Sequence, residues 1–302
     1  MLNFIRSLSY RLRTRPLLGR WALRMIPDVP WTFQIAGIGP LRLRLRRNRS
    51  LWLREPLESE AFPFAVLRHF VHPGDVVYDI GANLGLYARH LVSTLHAGRV
   101  VSFEPVAENR ELLTANLALG GIADRVILMP MALADEDGTA EFQVDDMQSA
   151  SGTLSKVTGG DPCVGRQNLG LGPLTAQVVC RSLDGLLADP ETPGTPLPPP
   201  DVLKIDVEGA EALLLRGAAR LLRERGPRLL IELHGAAVAR EVLSLLADAG
   251  YSCVAKVSRR IDPSGFAAVG RSTVPRLEGP YDVHFIAAAR DPRDLPAAQD
   301  LV

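Results

Sequence analysis

The chain has 302 residues, 47% of them hydrophobic and 23% charged, which suffices for one large domain or two small ones around an ordinary core. Its 34 Lys and Arg balance 34 Asp and Glu, so net charge gives no sign of a DNA partner. The three cysteines, Cys163, Cys180 and Cys253, are odd in number and far apart; they exclude a disulfide framework or a cysteine metal site and point to a reducing cytoplasm, and no apolar run approaches a membrane span.

Residues 1–58 are dense in arginine and sparse in acids, and read as a basic N-terminal cap. Leu2, Ile5, Leu8 and Leu12 fall roughly on one helical face, with Arg6, Arg11, Arg13 and Arg15 around the rest. Residues 1–26 therefore suit a peripheral contact with an anionic membrane, RNA phosphates or a partner, with a plain packed cap helix as the bland alternative. No uninterrupted apolar core follows Arg6, so a secretory signal is not expected. Leu41 to Arg46 alternates with period two, which predicts a half-exposed strand in a hairpin with residues 32–38.

Residues 60–70 read as a helix and residues 72–75 as a turn. His69 and His72, three apart with no third ligand near, read as solvated. Val76-Val77-Tyr78-Asp79-Ile80 is then a short buried strand, followed by Gly81, Asn83 and Gly85 and a helical pattern through Leu84, Tyr87, Ala88, Leu91 and Leu95. A strand, a glycine turn and a helix begin a doubly wound α/β sheet, whose ligands sit beyond the carboxyl ends of the strands. The turn fails the G-x-G-x-x-G dinucleotide pattern. Asp79 at the strand end would repel a pyrophosphate and suit a cation. S-adenosylmethionine, with its sulfonium and α-ammonium, is such a ligand, and Gly81 would let the backbone approach it. The alternative is an ordinary polar turn. Val100 to Phe103 forms a second strand ending in Glu104, about twenty residues past the glycines, where an acid meets ribose hydroxyls.

Residues 107–119 read as a helix closed by Gly120 and Gly121, and residues 126–131 as a third strand. Met131 and Ala132 would face the adenine or simply fill the core. Residues 139–144 and 176–180 read as strands. Residues 145–173 lack periodicity and suit a lid, and residues 189–200 a proline-rich exposed linker.

The second informative stretch is Asp201 to Glu211. Lys204 and Asp206 are two apart in a buried strand, so they share a face, and there they neutralise each other or serve a site. This strand should neighbour the first, which brings Asp206 near the methyl donor. Glu208 and Glu211 read as the start of a helix. Leu229 to His234 is a fifth strand whose Glu232 and His234 share a face, His234 being a credible base for a hydroxyl. Residues 237–249 form a helix, and residues 251–257 and 281–288 the last two strands, with Arg259, Arg260 and Arg271 between them as candidate anion contacts.

Taken together, Tyr78 to Gly85, Phe103-Glu104-Pro105, Leu203 to Glu211 and Ile231 to His234 resemble the FkbM family of S-adenosylmethionine-dependent methyltransferases over about residues 60–290. The resemblance implies a class I methyltransferase-like (Rossmann-like) seven-stranded sheet with an antiparallel last strand, in a domain of residues 59–290 between the cap and a flexible tail, 291–302. It also implies O-methylation of a hydroxylated small molecule, a sugar or secondary metabolite. The cofactor set is then Asp79, Gly81, Asn83, Gly85, Glu104, Met131, Ala132 and Asp206. His234, Asp206 and Glu232 are the unranked candidate bases. Nothing visible requires a metal, and the sequence sets no oligomeric state. An RNA methyltransferase using the basic N-terminus and a catalytically silent nucleoside-binding scaffold remain alternatives.

Overall fold

The computed structural model describes residues 25–53, 60–147, 152–157, 163–167, 170–189, 196–257, 266–269 and 283–296. The expectations for residues 1–24, for Arg259, Arg260 and Arg271, and for residues 297–302 fall outside these.

The described chain begins with the expected hairpin, β1 (Pro30–Ile35) antiparallel to β2 (Gly39–Arg44). Alternation buries Leu41 and Leu43 completely and turns Arg42 outward. The hairpin is tied to helix Ala107–Gly120 through Asn116, whose side chain accepts from Arg42 N and donates to the carbonyls of Arg42 and Leu84. Arg89 is buried beside it and donates to the carbonyls of Pro40, Ile38 and Asn116. The hairpin is thus bonded into the core by buried polar groups that would otherwise lack partners.

Helix Ala61–Phe70 leads to β3 (Val76–Ile80), helix Leu86–Ser93, β4 (Arg99–Phe103), helix Ala107–Gly120 and β5 (Val126–Met129). The third core strand ends earlier than expected, at Met129, because Pro130 cannot donate to a neighbour. Next come β6 (Ala132–Leu133), β7 (Gly138–Gln143), β8 (Thr153–Leu154) and β9 (Thr175–Arg181), which build a separate sheet in the order β6-β9-β7-β8. The described parts of the expected lid are therefore ordered: β8 pairs with β7, and Val164–Gln167 is helical. Nor is the end of the proline-rich segment an exposed linker. Leu197 is buried, and the Tyr78 hydroxyl donates to Pro198 O.

The chain then completes the main sheet with β10 (Val202–Ile205), β11 (Arg228–Glu232), β12 (Ser252–Val257), β13 (Phe266–Val269) and β14 (Val283–Ala289). The order is β13-β12-β14-β11-β10-β3-β4-β5. Strands β5, β4, β3, β10 and β11 pair in parallel, and β14 runs antiparallel between β11 and β12. This is the expected seven-stranded sheet with a reversed last strand, widened by β13 on its edge, where the sequence suggested only a loop. Strand β10 pairs with β3 as anticipated, so the strand order reverses there and the carboxyl ends open a crevice. Alternate residues of the central strands feed two cores: Tyr78, Ile80, Phe103, Ile205 and Ile231 enter one, Val77, Val100, Val202 and Leu230 the other. Residues 291–296 close the description with a 3-10 turn and a buried Pro296.

Candidate active site

A cleft partly open to solvent lies over the carboxyl ends of β3, β4 and β10. Gly81, Asn83, Glu104, Met131, Ala132 and Asp206 all line it, so six of the expected cofactor residues meet in one place. Gly81 has φ +78, and a Cβ on it would lie 1.8 Å from Asp206 O. Only glycine lets the turn after β3 press against the end of β10 in this way. Asn83 is left-handed too, at φ 49, and its N–H donates to Glu104 Oε2 at 2.8 Å. Gly85 stands behind, at the start of helix Leu86–Ser93, against Leu113 rather than in the cleft.

Glu104 is buried at 4% exposure yet faces the cleft. Burial raises its pKa, while donors from Val106 N, Asn109 Nδ2 and Asn83 N oppose the rise. A carboxylate accepts about four hydrogen bonds, so three protein donors leave room for one from a ligand. Met131, Ala132, Leu133, Phe142 and Leu154 supply an apolar wall. Arg47, in the turn after β2, reaches the rim and forms ion pairs with Glu108 and Asp28.

Asp79 does not sit at the mouth. It has no exposed surface and does not line the cleft. The period of two explains this: Ile80 takes the cleft side, and Asp79 points with Val77 to the opposite face. There it meets Lys204, directly across the register on β10, at 3.5 Å. Lys204 also lies 3.4 Å from Asp206 and 4.5 Å above the centre of the Tyr87 ring, and donates to Gly81 O. Burial opposes the charge on Lys204, but Asp206 and Asp79 hold its pKa above the usual lysine value. Asp79 therefore braces the turn from behind through Lys204.

The ends of β10 and β11 bring Asp206, Glu208 and His234 together. His234 Nε2 lies 3.4 Å from Glu208 and 4.0 Å from Asp206. His234 Nδ1 lies 2.7 Å from Glu211 Oε1. Burial disfavours protonation of this ring, but the bond to Glu211 and the charges of Glu208 and Asp206 outweigh it and push the pKa up to about 10. His234, expected as a free base, is thus engaged through Nδ1 by Glu211, and the acids around it favour its protonated form. Burial, with help from Asp206, pushes Glu232 up to about 9, so it too is protonated near neutrality. The helix after β10 begins at Glu211, and Glu208 sits before it in a left-handed turn at φ 51. Sequence reading assigned Glu208 to the helix start and so missed it as a member of the site. The signal available was its place between Asp206 and Gly209, a residue that permits the bend.

The family model for the methyltransferase FkbM domain matches residues 79–253, more than half of the chain. The hexuronic acid methyltransferase AglP of Haloferax volcanii is 26% identical over 238 residues, covering 77% of this chain and 87% of that one. Among solved structures, methyltransferase FkbM from Methylobacillus flagellatus aligns over 71% of this chain and 43% of that one, at 17% identity and a TM-score of 0.40. An S-adenosylmethionine-dependent O-methyltransferase from Thermotoga maritima aligns over 77% and 64%, at 14% identity and a TM-score of 0.41. The family match takes in the turn after β3, the acid after β4 and the ends of β10 and β11, and from its extent the chain belongs to the FkbM methyltransferase family.

Proposed function

We propose that the chain is an S-adenosylmethionine-dependent methyltransferase that methylates an oxygen of a small hydroxylated acceptor, a sugar or secondary metabolite. The observation that carries this reading is Glu104. Its carboxylate is fixed by three N–H donors at the end of β4, still faces the cleft, and retains one accepting position for a ribose hydroxyl. The apolar wall of Met131, Ala132 and Leu133 suits an adenine, and the acids at the cleft floor suit a positively charged donor and repel a phosphorylated one. The similarity to a hexuronic acid methyltransferase favours a sugar as acceptor.

When bound, the cofactor supplies a methyl group already activated on a sulfonium. The protein then has to orient the acceptor and exclude water. The acceptor oxygen gains the methyl group as its proton passes to a base. Asp206, about a quarter exposed and lining the cleft, is the carboxylate placed to take that proton. Asp206→Asn should lower kcat by about 10²- to 10⁴-fold. The test is a screen of free and nucleotide-linked sugars, uronic acids included, with labelled methyl donor. Label in an acid- and base-stable ether supports the reading; no transfer to any hydroxylated acceptor by a chain that binds the donor contradicts it.

A further inference from the structure

We propose that Asp206, Glu208 and His234 form a divalent-cation site on the floor of the cleft. One atom from each residue lies within 4.8 Å of the others. Donors about 2.1 Å from a shared ion stand about 3.0–3.4 Å apart when adjacent and about 4.2 Å apart when opposite. The observed 3.4 Å from His234 Nε2 to Glu208 and 4.0 Å to Asp206 lie in that range.

Three features separate this cluster from a chance gathering of acids. The imidazole is oriented for ligation once an ion displaces its Nε2 proton: Nδ1 is engaged by Glu211, which turns Nε2 toward the two carboxylates, as carboxylate partners do for metal-bound histidines. Glu211 is itself fully buried. Its Oε1 receives Gly209 N and the His234 ring, while Oε2 has no hydrogen-bond partner. A buried polar atom left without a partner is costly, and a ligand close by would relieve it. The surroundings point the same way, since the carboxyl groups of Asp206, Glu208 and Glu211 crowd the ends of β10 and β11 around the one His234 ring. Asp206 and Glu208 line the cleft, so an ion held there keeps positions open toward a ligand. Two carboxylates and one imidazole make a mixed donor set suited to Mn²⁺ or Zn²⁺. The site stands on these contacts alone. That an acceptor oxygen takes the open position, and is made more acidic there, rests on the methyl-transfer reading.

The test is Mn²⁺ titration of the full chain at pH 7.5, followed by electron paramagnetic resonance, with no methyl donor present. One Mn²⁺ per chain is expected, displaced by Zn²⁺. Its affinity should fall more than about 100-fold in His234→Gln and about 10- to 100-fold in Glu211→Gln. Should His234→Gln fail to fold, Glu208→Gln, in the turn, gives the same comparison. Mn²⁺ and Zn²⁺ binding no tighter to the wild type than to Glu208→Gln would overturn the proposal. So would displacement of Mn²⁺ by methylammonium at equal concentration, which would mark the cluster as a seat for an ammonium group. Because the donor is left out, either failure is separate from a failure of methyl transfer.

Discussion

His234 Nδ1 and Glu211 Oε1, joined at 2.7 Å, couple the end of β11 to the first turn of the helix after β10. Glu211 has no exposed surface, and its acceptor is shared with Gly209 N. Glu211→Gln keeps the size but removes the charge that faces the ring. Hydrogen bonds to charged groups are worth about 1.5–3 kcal/mol, so urea unfolding should show a loss of about 2 kcal/mol. An unchanged midpoint would mean that the ring is held by something else.

Lys204 lies between Asp79 and Asp206, 3.5 and 3.4 Å away, nearly excluded from solvent. Removing one member of a buried pair leaves the other uncompensated, at about 3–5 kcal/mol. Lys204→Met should therefore destabilise strongly. The double change Lys204→Met with Asp79→Asn, which also removes the stranded charge, should recover much of the loss in denaturant titrations. Additive effects would show that the two groups do not interact.

Gly81 and Gly74 offer a matched comparison. Both have positive φ, +78 and +94, but a Cβ on Gly81 meets Asp206 O at 1.8 Å while one on Gly74 meets nothing within 4 Å. Gly74→Ala should cost only the left-handed strain, about 1–2 kcal/mol. Gly81→Ala must also force β3 and β10 apart, so its melting temperature should drop well below that of Gly74→Ala. Equal melting temperatures would rule out the close approach of the turn to β10.

His90 is 4% exposed, stacked on Phe64 at 4.1 Å, with neither ring nitrogen bonded. Burial, reinforced by Arg68, lowers its pKa from 6.5 to about 4. The folded value lies below the unfolded one, so the unfolded chain takes up the proton first. Stability from this residue is complete above pH 6.5 and declines as pH falls toward 4, by about 3 kcal/mol in total. His90→Phe keeps the ring and removes the titration. Between pH 7 and 4.5 the wild type should lose about 2–3 kcal/mol more than this variant by urea unfolding; parallel losses would contradict the assignment.

The parallel core was legible because β3, β4, β10 and β11 are short apolar runs ending in acids, and their order follows from the glycine turn and the place of Asp206. What escaped the sequence depended on contacts between distant segments. Asp79 looked like a ligand because it ends a strand, but which face it takes depends on Ile80 filling the cleft side and on Lys204 across the register. His234 looked like a free base because its neighbours were unknown; Glu211, 23 positions away, engages its Nδ1. Of the small sheet, β7 and β9 were legible as strands, but β6 and β8 have two residues each, too few to show a period. The hairpin was visible from Leu41 and Leu43, yet its attachment rests on Asn116 and Arg89, polar residues that no hydrophobic pattern marks.

In the function proposed above, the cleft holds the methyl donor against the Glu104 carboxylate. Calorimetry with S-adenosylhomocysteine on wild type and Glu104→Ala tests it most directly. Binding is expected at one site per wild-type chain, weakened about 10- to 150-fold in the variant, as loss of a charged hydrogen bond implies. Equal affinity in the two proteins, or no binding to the wild type, would contradict it.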